Sequence, residues 1–258
     1  MESLKNLFNI EGKVALVTGG SRGIGEMIAT GFVEAGAKVY ISARKAQACN
    51  ELAEELSKKG TCISLPFDLG HVAGIEGLAA ELAKREPKLD ILVNNAGAAW
   101  GEPIDQYSES GWDKVMNINL KGPFFVTQKL LPLLRKAATY DDPSRIINIA
   151  SINGIVPPEL ETYAYSSSKA GCIMLTRHLA GRLAGDNILV NAIAPGPFPS
   201  QMMKATLDTF GEAIKAGNPR KRIGTPEDIA GVAIFLSSRA SAYTTGAVIP
   251  CDGGAAEV

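Results

Sequence analysis

The sequence predicts an α/β fold, a single domain in which helices cover both faces of a doubly wound parallel sheet. Two observations predict it. Short apolar runs alternate with segments of helical periodicity along the chain, and this alternation is typical of parallel sheets. The first apolar run leads through a glycine-rich turn directly into a helical segment. Because no linker or charge run divides the 258 residues, residues 1–258 are predicted to form one domain.

The elements follow in order. Short apolar runs predict strands at 13–18, 38–43, 62–67, 89–93, 145–150, 187–193 and about 246–250. Helical spacing of apolar residues predicts helices at 23–35, 45–59, 72–85, 109–136, 162–184 and 226–237. The segment 194–222 contains four prolines, breaks this rhythm and is expected to be irregular. Because long irregular stretches usually carry function, it is predicted to be a substrate loop.

Composition excludes several classes of protein. The 26 basic and 27 acidic residues give a net charge of -1, which favours neither nucleic acid nor an anionic membrane as a partner. No apolar stretch is long enough for a signal-peptide core or a membrane span. The four cysteines are sparse and form no CxxC pair, which favours a reducing compartment. We therefore expect a cytoplasmic protein and predict no metal site.

The turn after the first strand reads TGGSRGIG at 18–25, with glycines spaced GxxxGxG. Small residues let the backbone approach a pyrophosphate, and the amino terminus of the next helix offers free N–H groups and a positive dipole. This predicts a nucleotide cradle in a Rossmann-type fold, with an ordinary tight turn as the alternative. The same residues contain GxSxG around Ser21, the nucleophile turn of hydrolases. Chain order disfavours a hydrolase, because the turn comes so early and the late histidine, His178, lies within a predicted helix.

The end of the second strand indicates which nucleotide binds. An acidic side chain there accepts hydrogen bonds from the ribose 2′-hydroxyl of NAD, whereas an arginine pairs with the 2′-phosphate of NADP. The sequence has Ser42, Ala43 and Arg44 at this place and a second arginine, Arg22, in the glycine turn. NADP(H) is therefore the predicted cofactor, with a solvated cation at a helix start as the alternative for Arg44.

Tyr165 and Lys169 form the predicted proton-transfer pair. They are four residues apart, so in a helix their side chains share one face, one turn apart. A free tyrosine has a pKa near 10, and a nearby ammonium stabilises the phenolate and favours proton transfer at neutral pH. Tyr163 is six residues from Lys169 and points elsewhere, so it serves as an internal control.

These motifs resemble the short-chain dehydrogenases/reductases along essentially the whole chain. The resemblance rests on TGGSRGIG at 18–25, Asp68-Leu69, NNAG at 94–97, NINL at 117–120, Ser151, YSSSK at 165–169 and Pro195-Gly196. It implies a dinucleotide-binding and catalytic domain with a catalytic tetrad of Asn119, Ser151, Tyr165 and Lys169. Ser151 would polarise a substrate carbonyl, and Asn119 would help hold a water near Lys169. The resemblance also implies a homotetramer assembled through the helices at 109–136 and 162–184.

Cofactor contacts carry over to the positions that match the family's motifs. Besides Tyr165 and Lys169, these are Gly19, Ser21, Arg22, Gly23, Ile24, Gly25, Arg44, Asp68, Leu69, Asn95, Ala96, Gly97, Pro195, Gly196, Phe198 and Ser200. Three positions depart from the family's pattern. Gly70 removes a side-chain cap from the next helix, Phe198 is bulkier than the usual aliphatic residue at a nicotinamide contact, and Ser200 stands in place of threonine.

The predicted substrate is apolar. Trp100 follows NNAG, Ile155 and Leu160 follow Ser151, and a stripe at near-helical spacing that begins at Met202 suggests an apolar lid, with packing against the core as the alternative. These loops favour a hydrophobic ketone or an acyl chain over a sugar. The predicted substrate contacts are Trp100, Ser151, Asn153, Tyr165 and Met202.

Within the family, SGWDKVM, RIINIAS and AYSSSKA resemble the 3-oxoacyl reductases, including the type of the rhamnolipid pathway. The prediction is NADPH-dependent reduction of a 3-oxoacyl thioester or a similar ketone. An acyl carrier protein is a candidate partner, but residues 140–143 are an insertion relative to the fatty-acid-synthesis enzymes and argue against its docking. One alternative is a dehydrogenase of another secondary alcohol or a reductase of a cyclic ketone. Another is a non-catalytic NADP-binding sensor, although such proteins commonly lose a tetrad residue and none is missing here.

Overall fold

A computed structural model describes residues 4–256, so residues 1–3 and 257–258 of the predicted domain lie outside the described residues. Seven strands form one parallel sheet in the order β3-β2-β1-β4-β5-β6-β7. The strands are β1 Val14–Thr18, β2 Lys38–Ser42, β3 Thr61–Ser64, β4 Ile91–Asn94, β5 Ser144–Ile149, β6 Ile188–Pro195 and β7 Val248–Cys251. The strand order reverses between β1 and β4, which confirms the predicted doubly wound parallel sheet.

Helices cover both faces of the sheet. They are α1 Leu4–Leu7, α2 Gly23–Glu34, α3 Ala46–Leu56, α4 Val72–Arg85, α5 Glu109–Met116, α6 Gly122–Ala137, α7 Tyr163–Leu183, α8 Lys204–Gly217 and α9 Pro226–Ser237. Buried residues of α2, α3 and α9 form one apolar core, and those of α4, α6 and α7 form a second. The sheet lies between these two cores.

The first strand shows why the chain needs helices on both faces. Successive side chains of a strand point to opposite faces. Val17 of β1 accordingly packs in the same core as Phe32 of α2, whereas Leu16 packs in the core that contains Leu130 of α6. Each such side chain contributes about 1.5–3 kcal/mol when fully buried. Apolar runs without polar alternation thus produce a sheet that is buried on both faces.

The helix predicted at 109–136 is divided. A π-helical segment, Asn117–Lys121, separates α5 from α6, and it contains the buried side chain of Asn119. Short π segments inside helices are rare and occur often at functional sites. The periodicity of apolar residues did not reveal this break.

The expectation of an irregular segment at 194–222 is wrong in part. Strand β6 continues to Pro195, and α8 occupies Lys204–Gly217. The helix fits between Pro199 and Pro219, so no proline interrupts it. None of its residues is buried, so α8 lies on the outside of the domain.

The insertion at 140–143 lies at the amino ends of the strands. Asp142 pairs with Lys13, which precedes β1, and with Arg145 of β5. Burial raises the pKa of the Asp142 carboxyl, but hydrogen bonds from Lys13 and Arg145 outweigh this and hold the pKa below its usual value. Because Thr18 and the residues after β5 lie at the opposite edge of the sheet, the insertion does not border that edge.

Along residues 4–256, no helix combines the length and the hydropathy that a membrane span requires.

Candidate active site

The glycine turn after β1 packs so closely on its neighbours that side chains at Gly19 or Gly25 would clash with the protein itself. Gly19 has a positive φ of 63°, and a Cβ there would lie 2.8 Å from Cα of Ala96. A Cβ at Gly25 would lie 2.3 Å from the carbonyl oxygen of Gly19. Arg22, the N-cap residue of α2, makes no side-chain cap hydrogen bond, which leaves N–H groups of the first turn for an anion. Both features fit a pyrophosphate at this place.

Thr18 and Asn95 join the glycine turn to the loop after β4. The Thr18 hydroxyl donates to the carbonyl of Val93 (3.1 Å) and accepts from the backbone N–H groups of Asn95 (2.9 Å) and Ala96 (3.1 Å). The Asn95 amide donates back to the carbonyls of Thr18 (3.0 Å) and Gly19 (3.1 Å). The predicted cofactor residues 19–25 and 95–97 are therefore held together as one unit.

The two predicted phosphate ligands differ in their surroundings. Arg44 is exposed just after β2 and, within residues 4–256, has no hydrogen-bond or ion-pair partner. Arg22 is exposed as well, but its Nη1 donates to Oε1 of Gln201 at 2.5 Å. An unpartnered guanidinium at the end of β2 fits a cofactor that carries a 2′-phosphate.

Asp68 and Leu69, in the loop between β3 and α4, differ in their surroundings. Asp68 accepts a hydrogen bond from the backbone N–H of Gly70 (3.0 Å), so one carboxylate oxygen closes a local turn. Leu69 is buried in the core. The helix α4 begins without a side-chain cap, as expected, but its N-cap residue is His71 and not Gly70.

Tyr165 and Lys169 lie on one face of α7, as their spacing predicts. The Lys169 Nζ lies 5.6 Å from the centre of the Tyr165 ring and donates to the carbonyl of Ile149 at 2.7 Å. Lys169 is only 5% exposed, so its charge acts in a largely desolvated place. Tyr163 turns away instead, because its hydroxyl donates to Glu161 (3.1 Å) and its ring packs edge-on against Tyr107.

Asn119 connects the loop after β4 to α7. Its Oδ1 accepts from the backbone N–H of Ala98 (2.8 Å), and its Nδ2 donates to the Ala98 carbonyl (2.9 Å) and to Oγ of Ser168 (3.0 Å). The Ser168 hydroxyl donates in turn to the carbonyl of Tyr165 at 2.7 Å. The Asn119 amide thus positions these backbone groups, and the water that we expected it to help hold near Lys169 stays a prediction.

Ser151 follows β5 and is nearly buried. Its hydroxyl oxygen accepts from the backbone N–H of Asn153 at 3.1 Å, which orients the side chain and leaves its proton free for another acceptor. The Asn153 side chain is half-buried. Ser151 therefore has the geometry of a turn serine and keeps the capacity to donate.

The structure places the Phe198 side chain inside the protein. Phe198 is 2% exposed, and its ring packs on Gly224, where a Cβ would lie 2.3 Å from the ring. The ring of this residue thus packs in the core, and the nicotinamide contact expected at Phe198 stays a prediction. Gly196, two residues earlier, is pressed against Asp252, and a Cβ there would lie 2.6 Å from Cβ of Asp252.

The predicted substrate residues Trp100 and Met202 are held by different parts of the fold. The Trp100 ring packs against Gly111 and beneath the Lys114 ammonium, which lies 4.4 Å from the ring centre, so α5 holds it in place. Met202 is half exposed just before α8. Because no residue of α8 is buried, the apolar stripe that begins at Met202 does not pack into the core, and the lid interpretation stays a prediction.

Sequence reasoning missed several residues that build the site. Thr18, Ser168 and Gln201 each hold a predicted site residue. Thr18 and Ser168 stand inside recognised motifs, so their position was a usable signal. Nothing in the sequence links Gln201 to Arg22, which lies 179 residues away.

Comparison with known proteins finds reductases and dehydrogenases that are similar to nearly the whole chain. Residues 19–256 match the family described as Enoyl-(Acyl carrier protein) reductase. The rhamnolipids biosynthesis 3-oxoacyl-[acyl-carrier-protein] reductase of Pseudomonas aeruginosa is 50% identical over 249 residues, which cover 96% of this chain and 97% of the relative. A 2-dehydro-3-deoxy-D-gluconate 5-dehydrogenase of Dickeya dadantii is 37% identical and covers 96% of this chain and 97% of its own.

Solved structures of reductases have the same fold as this chain. The Pseudomonas aeruginosa RhlG/NADP active-site complex superposes with a TM-score of 0.95 at 49% identity and covers 97% of this chain and 99% of its own. An actinorhodin polyketide ketoreductase with NADPH superposes with a TM-score of 0.89 at 29% identity, with 96% and 98% covered.

Proposed function

The chain belongs to the short-chain dehydrogenase/reductase family, and from this premise we propose that it reduces the ketone of a 3-oxoacyl thioester with NADPH. The observation that carries the proposal is the placement of Tyr165 and Lys169 on one face of α7, with the Lys169 Nζ 5.6 Å from the Tyr165 ring. Ser151 lies after β5, the strand whose last carbonyl, that of Ile149, binds Lys169. The protein is an oxidoreductase, as its relatives are.

The residues present fit NADP(H). A Cβ at Gly19 or Gly25 would clash with the protein, so only glycine allows the close-packed backbone of the turn at 19–25. The N-cap residue of α2 makes no side-chain cap hydrogen bond, and Arg44 has no ion-pair partner within residues 4–256. An acidic residue, which would select NAD, is absent from the end of β2. The similar RhlG structure is a complex with NADP, which supports the same cofactor here.

When bound, NADPH supplies the hydride that reduces the carbonyl carbon. The Ser151 hydroxyl donates a hydrogen bond to the carbonyl oxygen and stabilises the charge that develops there. The Tyr165 hydroxyl donates the proton to the same oxygen. Lys169, held by the Ile149 carbonyl, stabilises the resulting phenolate through its charge. Asn119 positions the backbone of Ala98 and, through Ser168, that of Tyr165.

An acyl substrate suits the surroundings of the site. Ile155 and Leu160, which follow Ser151, are exposed, as are Met202 and Phe210 beside and on α8. Exposed apolar side chains from two segments can cover an alkyl chain and gain about 25 cal/mol for each Å² removed from water. The insertion at 140–143 lies at the other edge of the sheet, so it gives no steric reason to exclude a carrier protein.

A panel of substrates tests this function. We expect NADPH oxidation to have its highest kcat/KM with medium-chain 3-oxoacyl thioesters, below that with cyclic ketones, and far below that with keto-gluconates and 2-enoyl thioesters. The matched comparison repeats each assay with NADH in place of NADPH. Preference for a keto-gluconate or an enoyl thioester would refute the substrate class, and preference for NADH would refute the cofactor.

We also propose a homotetramer in the cytoplasm. The helical region 109–136 and α7 expose Trp112, Phe124 and Met174 within residues 4–256, which are apolar groups that a second copy could cover. All four cysteines are free thiols, as in a reducing compartment. A mass of one chain by light scattering would refute the tetramer.

A further inference from the structure

The glycine turn touches the segment that precedes α8. Arg22 Nη1 donates to the side-chain oxygen of Gln201 at 2.5 Å. The next residue, Gly23, has a φ of 57°, and a Cβ there would lie 3.1 Å from Cβ of Ser200. Residues 200–201 therefore lie directly on the turn that fits the cofactor.

The helix behind this contact, α8, is bounded by a contact on each side. No residue of α8 is buried, and Phe210 is 58% exposed. At its carboxyl end, Asn218 is buried and donates from Nδ2 to the carbonyl of Asp252 at 2.7 Å. At its amino end, the hydrogen bond between Gln201 and Arg22 joins it to the glycine turn. A helix that is attached in this way can respond to a change at Arg22.

We propose that Gln201 is a positioning residue for the 2′-phosphate of NADP(H), and that through Arg22 it couples cofactor binding to α8. The inference rests on the proposed function, because it requires a cofactor with a 2′-phosphate. A guanidinium has five N–H donors, so the Gln201 contact fixes its direction and leaves other donors for the phosphate.

The chemistry of an amide explains why glutamine suits position 201. Its oxygen is neutral, so it accepts the hydrogen bond without neutralising the charge of Arg22. A carboxylate of the same shape would form an ion pair with Arg22 and compete with the phosphate. Glutamine therefore allows Arg22 to be held and to remain a cation for the cofactor.

The first test is calorimetric binding of two adenosine fragments to the Gln201→Glu protein. Adenosine 2′,5′-bisphosphate carries the 2′-phosphate, and adenosine 5′-monophosphate lacks it. We expect the Kd of the bisphosphate to rise roughly threefold to fivefold, the size of an exposed ion pair, and that of the monophosphate to stay unchanged. Ala205→Glu, which places the same charge on an exposed position of α8, should change neither.

The second test measures hydrogen exchange of residues 202–217. In the parent protein we expect the bisphosphate to change the hydrogen exchange of this segment. In Gln201→Met, which has no comparable acceptor for Arg22, we expect the bisphosphate to leave the exchange unchanged. If Gln201→Glu binds both fragments as the parent does, or if Gln201→Met retains the exchange response, the role of Gln201 is refuted. If the parent itself binds the monophosphate as tightly as the bisphosphate, the proposed cofactor is refuted instead.

Discussion

Asn119 forms hydrogen bonds with both the oxygen and the nitrogen of its amide, which explains at the residue scale why a carboxylate would not serve at this position. Its oxygen accepts one backbone N–H, and its nitrogen donates to a carbonyl and to a hydroxyl. That hydroxyl, of Ser168, already donates to Tyr165. The loop after β4 and the first turn of α7 are therefore joined by directional bonds, and the position of Tyr165 depends on them.

Replacement of Asn119 by Asp tests this network. The new oxygen would face the Ala98 carbonyl, which cannot donate, so two acceptors would meet in a buried place. We expect the free energy of unfolding to fall by about 1–3 kcal/mol. Urea denaturation measures it, and Asn117→Asp is the matched control, because that half-buried amide makes no hydrogen bond within residues 4–256. Equal stability of the two variants would contradict the network.

The placements that the sequence predicted well are those that depend on short spacing along a helix. Tyr165 and Lys169 share a helix face because they are four residues apart, and Tyr163 turns away for the same reason. The burial of the Phe198 ring could not be predicted from the sequence, because the ring packs on Gly224, which is distant in sequence. Gln201 could not be found for a similar reason, since its partner lies across the fold.

At the scale of elements, helix ends show where sequence signals suffice. Thr225 and Asp228 form a capping box at the start of α9, which agrees with the helix predicted at 226–237. The π segment between α5 and α6 and the helix α8 were missed. The spacing of apolar residues does not reveal a single extra residue in a helical turn, so the π segment was missed. The helix α8 was missed because prolines on both sides of it are typical of an irregular loop.

The cap of α9 makes stability depend on pH. Arg222 and then the backbone N–H of Thr225 hold the pKa of Asp228 well below its usual value. A lowered pKa in the folded state adds stability above the ordinary pKa of aspartate, near 4, and this stability is lost as pH falls further.

We therefore expect Asp228→Asn to lower the free energy of unfolding at neutral pH by up to about 1 kcal/mol, since the pair is partly exposed. The difference from the parent should shrink in acid below about pH 4, as the carboxyl becomes protonated. Urea denaturation across this range checks it. A difference that stays constant with pH would contradict the assignment.

At the scale of the whole molecule, the alternation of strands and helices predicted the architecture, and the architecture places the site. The strand order puts the carboxyl ends of β1 and β4 side by side, so the glycine turn and the loop after β4 meet there. The charge pairs of Lys13, Asp142 and Arg145 lie at the other edge and contribute to the fold. One edge of the sheet thus carries the predicted site and the other carries ion pairs.

The central claim is that Tyr165 donates the proton when this site reduces a ketone. The most direct measurement is the rate of NADPH oxidation with a saturating 3-oxoacyl thioester by Tyr165→Phe, compared with Tyr163→Phe, each checked for retained NADPH binding. We expect Tyr165→Phe to lose roughly 10²-fold to 10⁴-fold in kcat, and Tyr163→Phe to react nearly as fast as the parent. A Tyr165→Phe protein that reduces the ketone at the parent rate would contradict the account.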